Sequence, residues 1–392
     1  MKKYKNKNKK FDFIDLFSGI GAFNLALTSC GGHCVLASEI DPFAIETYQE
    51  NFGINSNQDI TTLDAKKIPK HSVLCAGFPC QAFSSAGKKR GFNDTRGTLF
   101  FQIERILKEH KTKYIILENV KHLLKHNNGE TYKTIHAKLI ELGYVLTEKP
   151  IVLSPNYFGV PQHRERIFIL GVHKNYCNDD FLKINIPDKK QIKPTNIYDI
   201  LEKNVTDKKY SITPYEEKVL TAWDEFFKMI GKKIYGFPVW FDEFGQTYSL
   251  EKFPLWKQIY CKKCRELYLL HKTEIDEWAK KFDVKNFKSR DRKFEWQAGK
   301  DFNSVWDTII QFRQSGVRCK KTDYFPALVA IVQTPIIGKL KRRITPREAA
   351  RLQSFPENFK INKKEEKAYK QFGNSANVTI LKYLVEQLLN KY

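Results

Sequence analysis

The stretch FDFIDLFSGIGAF, residues 11–23, decides the fold. A strand-length run of aromatic and β-branched residues enters a turn carrying Gly19 and Gly21, and the turn opens an amphipathic segment. Strand, glycine turn and helix in that order begin a βαβ unit, and the glycines let backbone N–H groups approach a ligand closely. Dinucleotide spacing asks for a third glycine at position 24. The residue there is Asn24, which argues against a nicotinamide or flavin site.

Working outward, similar strand-like runs recur near 34–39, 72–77, 114–118, 144–152 and 166–172. Between them the segments near 20–29, 42–51, 98–110 and 131–142 carry helical spacing, the third with Leu99, Ile103, Ile106 and Leu107 on one face. The alternation predicts an α/β domain built on a mostly parallel sheet. From about Asn175 the regularity gives way to a lysine-rich region with scattered aromatics, Trp223, Phe226, Phe227, Tyr235, Trp240 and Trp256 among them, which predicts a second, smaller irregular domain. Order returns after Pro356, and Val378, Leu381, Leu384, Val385 and Leu388 space out a final helix that packs back on the first domain. The expected division is a discontinuous domain, 11–180 with 360–392, and an inserted one, 181–359, which includes a hinge block at 342–359. A chain of 392 residues and 45.9 kDa exceeds the size of one ordinary core, in keeping with two domains.

Lys and Arg outnumber Asp and Glu by 67 to 44, a formal charge of +23, which favours a polyanionic partner. The apolar runs are of strand length, so no membrane span is expected. The basic start MKKYKNKNKK leads into the first strand without an apolar secretory segment, and the eight cysteines are too sparse for a disulfide scaffold. A reducing cytoplasm is the expected location. Cys261 and Cys264 have the spacing of half a zinc site that His271 or Cys319 could complete, but no second such pair follows, and two free thiols are the expected reading, with no metal.

The chemistry-bearing residues collect at the ends of the expected strands. Glu39 follows the second strand, where a carboxylate accepts both ribose hydroxyls of an adenosine, and Asp59-Ile60 follows the next helix, where a carboxylate and an N–H read an adenine edge. Cys80 leaves the third strand in Gly77-Phe78-Pro79-Cys80-Gln81. A cysteine there is either a small core hydrophobe or a nucleophile, and the polar loop after it, with Ser84, Ser85, Lys88, Lys89, Arg90 and Arg96, favours exposure and the nucleophile. Glu118 ends the next strand beside it, where a partly dry carboxyl can hold a proton and act as an acid. Arg164 and Arg166 share one face of the strand that QHRER opens; alone, such a pair reads as a solvated edge.

The ordered blocks DLFSGIGAF, SEID, GFPCQAF, ENV, QHRER, RRITPREAARLQSFPENF and QFGNSANV closely resemble the bacterial DNA cytosine-5 methyltransferases of type II restriction–modification systems. They cover about 1–172 and 340–392, and 175–338 has the family's variable position. The resemblance implies a Rossmann-like S-adenosylmethionine-dependent methyltransferase sheet with a target-recognition domain. It implies that Cys80 adds to carbon 6 of a cytosine flipped from the duplex while Glu118 acts at N3, and that carbon 5 then takes the methyl group. Arg166 would hold the base O2, and Arg164 would support Cys80 and Glu118. The cofactor would lie against Phe17, Gly19, Gly21, Glu39, Ile40, Asp59, Ile60, Pro79, Leu99, Asn374 and Ser375. Ile40 departs from the family's usual tryptophan and would cover the adenine face by dispersion rather than stacking. Gln81, Ser84, Ser85, Lys88, Lys89, Arg90 and Arg96 would meet DNA as the loop closes, and Arg313, Arg318, Lys320 and Lys321 are candidates for base reading or, equally, for phosphate contact or plain surface charge.

The implied partner is double-stranded DNA, the enzyme a monomer in the bacterial cytoplasm, paired in function with a restriction endonuclease. A transfer-RNA methyltransferase on the same blocks would carry Pro-Pro-Cys and a Cys-Phe-Thr segment; this chain has Phe78-Pro79-Cys80 and no Cys-Phe-Thr. A non-catalytic DNA-binding relative would be expected to lack the cysteine or the glutamate, and both are present.

Overall fold

The computed structural model describes residues 11–79, 99–187, 194–328 and 334–392. They fall into two compact units, one made of the chain up to Thr195 with Ala349–Tyr392, the other of Asn196–Glu348.

The first unit is a seven-stranded sheet flanked by helices. Its elements are β1 (Phe11–Leu16), α1 (Ala22–Ser29), β2 (Gly32–Ser38), α2 (Pro42–Phe52), β3 (Val73–Gly77), α3 (Leu99–His110), β4 (Tyr114–Val120), α4 (Glu130–Glu141), β5 (Tyr144–Leu146), β6 (Ile151–Leu153), the two-residue β7 (Gln162–His163) and β8 (Arg166–His173). The strand order is β2-β1-β3-β4-β8-β5, with β6 also on β8. β1 pairs in parallel with β2 and β3, and β3 with β4. These strands are buried almost throughout, as a sheet covered on both faces requires. Ile103, Ile106 and Leu107 of α3 and Ile135 and Leu139 of α4 cover one face, against Leu74, Ala76, Ile115, Leu117, Ile167 and Ile169.

Half of this sheet departs from the parallel expectation. β8 runs antiparallel to β4, β5 and β6. It is buried along nearly its whole length, so its apolar run reads like an interior parallel strand. The single strand expected over 144–152 is two, because Thr147–Pro150 turns between β5 and β6, with Thr147 Oγ1 donating to the Lys149 carbonyl (2.8 Å).

The chain returns to this unit through α8 (Pro346–Leu352), α9 (Glu365–Asn374) and α10 (Val378–Lys391). α10 packs along α1 and buries Ile380, Leu381, Leu384, Val385 and Leu388. The division between units differs from the one read in sequence at both ends. The Tyr383 hydroxyl donates to the Asn185 carbonyl (2.7 Å), which ties the chain beyond 180 to α10. Phe355 and Phe359 pack on Phe372 (centroids 5.4 and 6.4 Å), so 349–359 belongs with the first unit.

The second unit is more regular than its sequence suggested. α5 (Pro214–Ile230) starts on a Thr213/Glu216 capping box and buries Val219, Leu220, Trp223, Phe226, Phe227 and Ile230. α6 (Leu255–Leu270) and α7 (Lys272–Phe282) follow. The strands β9 (Val239–Trp240), β10 (Lys293–Gln297), β11 (Ile309–Arg313), β12 (Gly316–Lys320), β13 (Phe325–Pro326), β14 (Ile336–Ile337) and β15 (Arg342–Arg343) are two to five residues long, too short for alternation to show. Six of them form one sheet, β15-β14-β11-β12-β10-β9. Trp223 stacks on Phe294 (4.9 Å, 11°) in the core beneath it. At the far end Glu348 is fully buried in a bidentate pair with Arg342 (2.9 and 2.7 Å) and accepts from the Thr345 and Glu202 N–H groups.

If α10 completes the first unit, Leu384→Ala costs about 3 kcal/mol, the usual range for a buried leucine, and lowers the denaturant midpoint at unchanged slope. A chain truncated after Lys360 then shows no cooperative unfolding; a soluble fragment with a sharp transition would contradict this architecture.

Candidate active site

The order β2-β1-β3-β4 places four strand ends side by side at the carboxyl edge, and the connections diverge on either side of β1, where open α/β sheets bind ligands. After β1, Phe17, Gly19 and Gly21 all have positive φ (55°, 53° and 88°). A Cβ on Gly21 would fall 2.2 Å from the Phe52 ring, whereas one on Gly19 would enter open space. Gly21 therefore serves helix packing, and Gly19 leaves a cradle over the backbone. The Glu39 carboxylate holds this turn: Oε2 accepts from Gly19 N–H (2.8 Å), and Oε1 from the N–H groups of Ile40 and Asp41 (2.8 and 2.9 Å). With three of about four lone pairs engaged, one on Oε2 is left for a ligand hydroxyl. Ile40 is 72% exposed, an apolar side chain standing over the same edge. Asp59 is exposed and accepts from the Thr61 N–H and hydroxyl (both 2.8 Å), while Ile60 is buried.

Beneath the turn lies a polar cluster that the sequence reading did not single out as functional. Asp15 is fully buried and accepts from Tyr48 Oη (3.3 Å) and the Cys75 thiol (3.7 Å), and Tyr48 Oη accepts from Asn24 Nδ2 (2.7 Å). Burial pushes the Asp15 carboxyl well above the usual carboxylate range. Its sequence signal is weak, since Asp15 is the second of two charges, after Asp12, in a mostly apolar strand.

The second half of the edge joins β3, β4 and β8. Gly77 lies opposite Glu118 in the β3/β4 register, and glycine leaves that side of the Glu118 carboxyl open. Glu118 is 9% exposed and pairs with Arg166, Nε to Oε1 at 3.1 Å. Burial raises its carboxyl above the ordinary value, and Arg166 and then Arg164 pull it back. Arg164 is buried and donates to the carbonyls of Gly373 (2.7 Å) and Ser375 (3.0 Å), so it ties the C-terminal end of α9 to the approach of β8. Burial pushes its guanidinium down to about 9, still charged at neutral pH. Asn119, to which the sequence reading gave no role, is buried and donates from Nδ2 to the Phe78 carbonyl (2.8 Å), fixing the chain two residues before position 80. Pro79 and Asn374 are exposed, Ser375 is half-buried, and Leu99 opens α3 on the edge of the apolar cluster that includes Ile60. Gln371 donates to the Phe43 carbonyl of α2 (2.9 Å). Cys80, Gln81, Ser84, Ser85, Lys88, Lys89, Arg90 and Arg96 lie outside the described residues.

In the second unit Arg313, Arg318 and Lys320 share the face of β11 and β12 opposite the core. Arg318 is held by Glu295, its partner in the β10/β12 register, with Nε and Nη2 at 2.7 and 2.6 Å from Oε2. Burial and the neighbouring arginines push Lys320 down. Lys321 is exposed, 3.8 Å from Asp301. Cys261 and Cys264 are buried in α6, and the Cys264 thiol donates to the Pro238 carbonyl (3.5 Å). Among the described residues no three metal-binding side chains converge, and no helix is long and apolar enough to cross a membrane.

Known proteins resemble this chain over nearly its whole length. The family described as C-5 cytosine-specific DNA methylase matches residues 11–390. The type II methyltransferase M.HpaII of Haemophilus parainfluenzae is 36% identical over 98% of this chain and 91% of its own. M.HhaI of Haemophilus parahaemolyticus is 32% identical over 95% and 92%. Among solved structures, S. pombe Dnmt2 methyltransferase superposes with a TM-score of 0.56 at 20% identity, over 97% of this chain and 99% of its own, a likeness of fold.

The Glu118–Arg166 pair has a pH consequence. Because the folded carboxyl sits above its unfolded value, the folded state binds the extra proton, and the associated stability is present at acid pH and lost as pH rises through the folded value. Arg166→Met removes the larger opposing charge, so the carboxyl rises further, and the loss of stability from about pH 5 to about pH 8 grows by about 1.4 kcal/mol for each added pKa unit. Denaturant unfolding at both pH values checks this; a variant no more pH-sensitive than wild type would show that Arg166 does not govern Glu118.

Proposed function

The chain belongs to the C-5 cytosine-specific DNA methylase family, and from that premise we propose a role for each residue of the site. The protein is a DNA cytosine-5 methyltransferase that uses S-adenosylmethionine and acts on a flipped cytosine through a cysteine adduct at carbon 6. One observation carries the assignment of roles: a buried carboxyl, Glu118, paired with Arg166 and opposite Gly77, three residues before Cys80.

Carbon 5 of cytosine is a weak nucleophile. Cys80 as thiolate forms a bond to carbon 6, and Glu118, whose proton affinity burial has raised, donates to N3 as the ring electrons shift, leaving an enamine nucleophilic at carbon 5. Arg166 stands beside Glu118 with its Nη1 on the Glu165 carbonyl (2.9 Å), and in this proposal it holds the base O2. Arg164 holds the 373–375 segment and adds charge behind Glu118, and Asn119 fixes Phe78 and with it the approach to Cys80. S-adenosylmethionine, when bound, supplies the methyl group. Loss of the carbon-5 proton to water and elimination of the Cys80 sulfur, with the N3 proton returning to Glu118, release the product and restore the site.

The open space at Gly19, the remaining lone pair of Glu39, exposed Ile40 and the Asp59-Ile60 turn suit an adenosine, and Phe17, Gly21, Pro79, Leu99, Asn374 and Ser375 complete the cradle. Residues 196–348 serve as the target reader, with Arg313, Lys320 and the Glu295-held Arg318 as its basic face. Gln81, Ser84, Ser85, Lys88, Lys89, Arg90 and Arg96 contact the DNA strand around the flipped base. The enzyme works as a cytoplasmic monomer on the nucleoid, as the methylating partner of an endonuclease with the same recognition sequence.

Cys80→Ser abolishes transfer while cofactor and DNA binding persist. A target carrying 5-fluorocytosine traps wild-type enzyme in an adduct that survives denaturation, because fluorine cannot leave as a cation. Turnover by the serine variant above about one per cent of wild type, or absence of the adduct, would remove Cys80 from the mechanism. Phosphate contacts are tested separately. Neutralising Lys88 and Lys89 weakens binding to every sequence alike and reduces the salt dependence by about two phosphate contacts; an effect confined to one sequence would place them at base edges instead.

A further inference from the structure

The turn that presents Asp59 and Ile60 is held from three sides. From β2, the Ser38 hydroxyl donates to the Gln58 carbonyl (2.7 Å), and Glu39 N–H to the Ser56 carbonyl (2.9 Å). From within, Thr61 engages Asp59 Oδ1 through its N–H and its hydroxyl, and Thr62 engages the Asp59 carbonyl through both of its donors (3.1 Å each). From α3, Arg105 Nη2 donates to the Ile60 carbonyl (3.0 Å), and His110 Nε2 lies 2.7 Å from the Ala65 carbonyl at the far end of the same segment. The guanidinium is itself oriented, because Arg105 Nε donates to Gln102 Oε1 one turn earlier (3.1 Å).

These bonds engage the Ile60 carbonyl and one oxygen of Asp59. Among the described residues, Asp59 Oδ2 and the Ile60 N–H take part in no hydrogen bond. One acceptor and one donor therefore remain side by side on this turn, in the pattern that complements the amino group and ring nitrogen of adenine and clashes with the oxo group and N–H of hypoxanthine. We propose that Arg105 is the positioning residue of the cofactor edge: by pinning the Ile60 carbonyl to α3, it turns the Ile60 N–H and the Asp59 carboxylate towards the base and sets the preference for adenine. Arg105 touches no cofactor atom in this account. Lysine does not replace it, since the planar fork serves Gln102 and Ile60 at once.

The inference rests on the reading of Asp59 and Ile60 as adenine contacts, and the test separates the two. Calorimetric titration of the full chain with S-adenosylhomocysteine and with its hypoxanthine counterpart, S-inosylhomocysteine, gives the preference of wild type, Asp59→Asn, Arg105→Met and Gln102→Leu. The expected result is a clear adenine preference in wild type, its loss in Asp59→Asn, and at least a tenfold weaker affinity with a reduced preference in Arg105→Met. Gln102→Leu shifts both in the same direction by less and serves as the readout should Arg105→Met fail to fold. At saturating S-adenosylmethionine the turnover of the Arg105 and Gln102 variants stays within about twofold of wild type while KM rises. No adenine preference in wild type would overturn the cofactor-edge reading itself. A preference lost in Asp59→Asn but intact in both Arg105→Met and Gln102→Leu would overturn the role of Arg105 and leave the pocket standing. A fall in turnover as large as the loss of affinity would make Arg105 merely structural.

Discussion

A carboxyl group buried at the end of a central strand has to be neutralised or paired, and the candidate active site is arranged around that requirement at Glu118. Burial alone raises the pKa of such a group, and an ion pair alone lowers it. Arg166 at 3.1 Å and the more distant charge of Arg164 oppose burial without cancelling it, and the carboxyl remains above its ordinary value. Such a group can give up a proton when negative charge develops on a base beside it. The two arginines approach from the antiparallel strand β8 and the segment before it. The departure from a parallel sheet is therefore what brings a positive pair to the end of β4, where a parallel neighbour would instead have supplied another carboxyl-edge loop.

The same edge is kept rigid by side chains that spend their hydrogen bonds on backbone. Glu39 holds the glycine turn and the start of α2, Asn119 holds Phe78, Arg164 holds Gly373 and Ser375, and Arg105 holds Ile60. Apart from the short-range Glu39–Asp41 bond, each of these joins segments at least 20 residues apart, so the loops that would face ligand are set by the body of the unit rather than by their own preferences. The buried cluster of Asp15, Tyr48 and Cys75 plays the corresponding part below the glycine turn. Its cost in desolvation is tolerable because each polar atom named there has a partner.

Much of this was legible in sequence, and the reasons are local. β1, α1, α2, α3 and α4 follow from strand-length apolar runs and helical spacing, and the strand-end positions of Glu39 and Glu118, with Asp59 in the segment after α2, follow from them. The direction of β8 does not, because a strand buried on both faces carries the same apolar run whichever way its neighbours point. The regularity of α5 was within reach: Val219, Leu220, Trp223, Phe226, Phe227 and Ile230 keep helical spacing, but the short strands after it hide the sheet that it packs on. Arg318 shows a further limit. Its composition suggested a free cation, whereas the β10/β12 register sets Glu295 beside it, a pairing 23 residues apart that no local pattern announces. Asn119 and Arg105 were passed over for the same reason, since the carbonyls they hold lie 41 and 45 residues away.

Methylation of a base at carbon 5 with Glu118 as the proton donor is open to direct measurement. Bisulfite sequencing of plasmid from cells expressing the wild-type chain, and in parallel Glu118→Gln, reads this directly. The expected result is protection from conversion at one cytosine of a short recurring sequence in the wild-type sample, and protection at least 100-fold slower to accumulate with Glu118→Gln, within the usual range of about 10²–10⁴ for loss of a general acid. Full conversion of every cytosine with wild-type protein, or equal protection by the glutamine variant, would contradict it.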